Sequence, residues 1–160
     1  MSVLINDKID NLLKTTSRSF YPTLKYLPKK VRGQIGLLYL LARVADTIAD
    51  SKLGETDELL RILRNYNDVA QGKSKDLPDF TGLADIQENQ HEAELLRNVQ
   101  DVVEGLTVYS EEDRQRMLEC LDVIIGGQIL DLERFGPAKE GGVLSALNDN
   151  LELDDYTLVP

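Results

Sequence analysis

Tyr39, Arg43, Asp46 and Asp50 follow one another at spacings of four, three and four residues, which sets them along one stripe of a helix. Around them Val31, Ile35, Leu37, Leu38, Leu40, Leu41, Val44, Ala45 and Ile48 fit most of that helix to a protein interior. Two carboxylates at i and i+4 in such surroundings repel each other and lose hydration unless a cation lies between them. Magnesium suits such a pair, because it takes oxygen ligands, keeps several waters and is usually held by one or two carboxylates together with substrate phosphates. Arg43, one turn ahead of Asp46, is placed either to pair with a carboxylate in the empty protein or to grip a phosphate oxygen with its planar fork. On spacing alone a second reading stands beside this one, in which both aspartates lie on a solvated face near the helix end.

A second polar cluster, Thr16-Ser17-Arg18-Ser19 followed by Phe20-Tyr21, precedes that helix. Hydroxyls, a guanidinium and backbone amides are the groups a diphosphate requires, and the aromatic pair is suited to cover an apolar chain attached to it. The same Ser and Thr residues also serve as a helix cap or turn.

Taken in order, Ser17-Arg18-Ser19-Phe20, the Leu27-Pro28 break, Tyr39, Arg43 and Asp46-Thr47-Ile48-Ala49-Asp50 resemble the squalene and phytoene synthase family of prenyltransferases. Gly127-Gln128, Asp131-Leu132-Glu133-Arg134-Phe135 and Leu153-Asp154-Asp155-Tyr156-Thr157 look like its mid-chain part. The resemblance implies an all-α helical bundle similar to the N-terminal half of the isoprenoid synthase fold. It also implies head-to-head condensation of prenyl diphosphates of the farnesyl or geranylgeranyl type, with Mg2+ as cofactor. Asp46 and Asp50 would then be metal ligands, and Ser17, Arg18, Ser19, Phe20 and Tyr21 the substrate-binding segment. Within that segment Ser17 and Arg18, with Arg43, would contact the diphosphate, Phe20 would wall the isoprenoid pocket, and Tyr39 would lie near the leaving diphosphate. The family's second aspartate-rich motif is absent from these residues, so the expected activity is either that of a prenyltransferase or that of a catalytically incomplete homologue acting as a binding or interaction module.

Periodicity and punctuation predict one helical domain over residues 1–160, with helices at Val3–Lys14, Lys29–Ser51, Thr56 to about Ala70, about Ala84–Leu106 and Ser110 to about Phe135. Gln71–Gly82 is expected to be an exposed loop, and a C-terminal tail follows from about residue 136, with one short helix after Val143. Gly126-Gly127 inside the last long helix suggests close backbone packing, with a bend or a ligand's approach as alternatives. Cys120, next to Met117, Leu118 and Leu121, is expected in the core, and His91 among Glu88, Glu92 and Glu94 at the surface. Glu88 with Glu92, and Asp101 with Glu104, are expected on solvated helix faces.

The chain has 160 residues, 29% of them charged, and a net charge of -10, which leaves no cationic excess to replace the counterions of a nucleic acid. Lys25, Lys29, Lys30 and Arg32 form a local basic patch, fitted to a solvated helix start, to steering an anionic substrate or to peripheral contact with lipid headgroups. The uncharged run Gly33–Ala42 falls short of the ~20 residues a membrane span needs. With a lone cysteine and no signal-peptide core, a cytoplasmic location is expected. Faces left apolar by a missing second half would favour a homo-oligomer.

Overall fold

The computed structural model describes residues 7–17, 19–51 and 56–135. They form α1 (Asp7–Thr16), α2 (Lys29–Ala49), α3 (Thr56–Ala70), α4 (Thr81–Asp85), α5 (Gln90–Arg97), α6 (Val99–Glu104) and α7 (Glu111–Phe135), with 3₁₀ turns at Tyr21–Tyr26 and Gly105–Val108. Among the described residues there is no strand, so the architecture is all-α. The expected beginning of the first helix, the tail from about residue 136 with its short helix, and the Leu153-Asp154-Asp155-Tyr156-Thr157 element lie outside the described residues.

α2 is the axis of the bundle. Gly36, Leu37, Leu40, Leu41, Val44, Ala45 and Ile48 are buried along it, and α7, α3, α1, α5 and α6 all pack against it. Ile9, Leu12 and Leu13 seat α1, while Leu59, Leu60, Ile62, Leu63 and Tyr66 seat α3, both at the i, i+3, i+4 spacing that turns one helix stripe inward. The Tyr66 hydroxyl, fully buried, donates to the Leu41 carbonyl at 2.7 Å, which gives the phenol a partner inside the core. Gln71 Nε2 donates to the Leu118 carbonyl at 2.9 Å and Asn67 Nδ2 to Asp122 at 2.9 Å, joining α3 to α7. No helix among the described residues is long and apolar enough to cross a membrane.

Three expectations of the fold need correction and one needs refining. The helix expected over Ala84–Leu106 is three short ones. Asn89 starts α5 by accepting the His91 and Glu92 amides at 2.8 and 3.2 Å, and Asn98 ends it by donating from its side chain to the Glu94 carbonyl at 2.8 Å. Asparagine competes with the helical ladder through its own side chain, so it breaks a segment whose apolar period continues. Gln71–Phe80 is a loop as expected, exposed or half-buried apart from Phe80, which enters the core edge-on to Tyr66 at 6.3 Å. Cys120 is exposed, because it lies on the side of α7 away from Met117, Leu121 and Ile125. Among the described residues nothing packs closely on Gly126 or Gly127, where a Cβ would meet nothing within 4 Å, and α7 runs through both.

The close approach lies at Gly105 instead. A Cβ there would sit 3.1 Å from Ile9 Cδ1 and 3.2 Å from Leu37 Cδ1, so the absent side chain lets the α6 end press onto α1 and α2. Gly105→Val is therefore expected to destabilise the fold by about 2 kcal/mol through overpacking, read as a lowered urea midpoint with unchanged m.

Candidate functional site

The half-buried edge of α2 carries Tyr39, Arg43 and Asp46, and exposed Asp50 caps its C-terminal end, all backed by the buried face that fixes the helix in the bundle. Its C-terminal end is braced from two sides. Ser51 Oγ donates to the Thr47 carbonyl at 2.6 Å, and Gln87 Nε2, just after α4, donates to Ser51 Oγ at 2.9 Å. The 3₁₀ turn before α2 comes back onto the same edge, and the Phe20 ring stacks on Tyr39 with centroids 4.5 Å apart and planes 18° from parallel. The hydroxyl-rich segment and the aspartate stripe thus meet through two aromatic rings.

Within that segment the residues divide their work. Ser17 acts as a cap, its Oγ accepting the Phe20 amide at 3.2 Å and its carbonyl the Tyr21 amide at 3.1 Å. Ser19 is exposed. Tyr21 turns its hydroxyl to the Asp10 carboxylate at 3.0 and 3.1 Å, and burial, then the Asp10 hydrogen bond and charge, push its pKa up. Arg18 lies outside the described residues. In the basic patch Lys25, Lys29 and Lys30 are exposed, whereas Arg32 donates to the Leu27 and Lys25 carbonyls at 2.8 and 2.6 Å and so staples the 3₁₀ turn to α2.

Two further carboxylates enter from other helices. Glu92, expected on a solvated face, instead reaches α2 from the first turn of α5 and accepts from Arg43 Nη2 at 2.6 Å. Asp131, on α7, lies close enough to bear on Asp50. The Asp50 carboxyl is pushed up to about 6, first by burial, then by the charges of Asp46 and Glu92; Arg43 opposes the shift and Asp131 adds to it. Asp46, Glu92 and Asp131 thus all bear on Asp50, and Arg43 opposes them. One turn before Asp131, Gln128 Oε1 is buried without a hydrogen-bond partner among the described residues, and so is Arg43 Nε.

This arrangement favours a cation. Among the described residues no three His, Cys, Asp or Glu side chains converge to hold a metal by themselves. Any ion held by Asp46 and Asp50 would have to complete its shell with water and phosphate oxygens, as magnesium can. A cleft of about 270 Å³ between Leu77–Thr81 and the α5–α6 junction is lined by none of the stripe residues.

A model of the squalene/phytoene synthase family matches residues 13–157, which include the whole stripe, Glu92 and Asp131. The chain belongs to the squalene/phytoene synthase family. No curated protein and no solved structure matches it. The all-helical bundle is that expected of the isoprenoid synthase fold, to which this family belongs. Glu92 and Asp131 escape a reading of local pattern for different reasons. Glu92 sits among Glu88, His91 and Glu94, where nothing separates a site carboxylate from a solvated one, while Asp131 belongs to the Asp131-Leu132-Glu133 element whose place beside Asp50 depends on the packing of α7 on α2.

Proposed function

We propose that this chain binds a prenyl diphosphate of the farnesyl or geranylgeranyl type through Mg2+ held by Asp46 and Asp50, as the first aspartate-rich part of a head-to-head prenyltransferase site. The observation that carries the reading is the gathering of Asp46, Glu92 and Asp131 about the Asp50 carboxyl, in a member of the squalene/phytoene synthase family. Such an excess of negative charge repels a bare diphosphate and attracts a divalent ion able to bridge the two. When bound, magnesium neutralises charge building on the departing diphosphate oxygen. Arg43 donates to a phosphate oxygen from the same helix edge, Tyr39 lies beside it, and the stacked Phe20 ring offers an apolar wall to the isoprenoid chain.

Calorimetric titration of farnesyl diphosphate into the protein, with magnesium and then with chelator, tests this. Heat that appears only with magnesium supports the reading. Its absence under both conditions would leave a family-derived helical module whose role is association.

A further inference from the structure

We propose that Glu92 is a positioning residue that holds Arg43 to a loose 4.0 Å contact with Asp46, so that the aspartate pair stays open to a cation; the inference rests on the function proposed above. An Arg and an Asp three residues apart on a helix are natural partners, and the guanidinium of Arg43 lies 4.0 Å from Asp46. It nevertheless commits Nη2 to Glu92 at 2.6 Å. The Glu92 side chain is 23% exposed against 49% for Asp46, so solvent screens the Glu92 pair less.

Glu92 is also firmly held. Its backbone amide donates to Asn89 Oδ1 at 3.2 Å, and Ala93, Leu95 and Leu96 anchor α5 in the core. Its grip on Arg43 therefore comes from an element independent of α2. Without it, the guanidinium is free to close on the carboxylate one turn along its own helix, and a divalent ion would have to displace it.

The test is a double-mutant cycle on the magnesium concentration giving half-maximal binding of farnesyl diphosphate, measured by calorimetry. Glu92→Ala is expected to raise that concentration about tenfold, the scale on which residues orienting a metal site act. In an Arg43→Ala background the same change is expected to shift it by less than about threefold, the residue of a lost distant charge. Glu92→Gln, which keeps the shape and removes the charge, should reproduce Glu92→Ala and carries the test if the alanine variant fails to fold. An unchanged magnesium requirement, or an equal rise in both backgrounds, overturns the inference alone. Failure of the native protein to bind at any magnesium concentration overturns the proposed function and this inference with it.

Discussion

Asp46→Ala is expected to abolish magnesium-dependent binding of farnesyl diphosphate, by at least about 100-fold, while leaving the fold intact. The two halves of that expectation have separate grounds. The Asp46 side chain is half exposed, and its closest ion-pair contact is Arg43 at 4.0 Å, so deleting it removes little that holds the bundle together. Its removal also relieves repulsion on Asp50. A melting temperature at or slightly above that of the native protein, beside a flat calorimetric trace, is the expected pair of results. Retained binding would remove Asp46 from the site, and a collapsed melting temperature would make it a structural residue.

The second large effect is a stabilisation. The Asp50 carboxyl, pushed up to about 6 in the folded chain, has an ordinary value of 3.8. The sign follows from linkage: a raised carboxyl contributes stability that is fully present below 3.8 and is lost as pH rises through about 6, because the native state holds the proton more tightly than the unfolded chain. At neutral pH the ionised group therefore strains the metal-free fold, and an acid at a helix C-terminus opposes the helix dipole as well. Because Asp50 retains solvent contact, screening reduces the effect to about 1 kcal/mol. With chelator present, Asp50→Asn is expected to melt level with the native protein near pH 4 and a few degrees above it at pH 7, over the range in which the native chain loses this contribution. The same variant should fail to bind farnesyl diphosphate with magnesium. Parallel melting curves across that range would show that the carboxyl is not perturbed in the folded chain.

What was legible in the sequence is what depends on local chemistry. The period of α2 and α3, the Ser110 cap of α7, whose Oγ accepts the Asp113 amide at 3.2 Å, and the Tyr39–Arg43–Asp46–Asp50 stripe are properties of one segment each, because helical spacing fixes side-chain direction before any packing occurs. The squalene/phytoene synthase family was legible for the same reason, its motifs being short and ordered along the chain. Tertiary structure decided what one-dimensional spacing leaves open. Whether Cys120 faced the core depended on which stripe of α7 met α2, and whether Gly105 or Gly126-Gly127 marked close packing depended on which helices crossed there. The partner of Arg43 was decided in the same way: Glu92, 49 residues away on α5, reaches it at 2.6 Å, because packing of α5 beside α2 brings together charges that no local pattern relates.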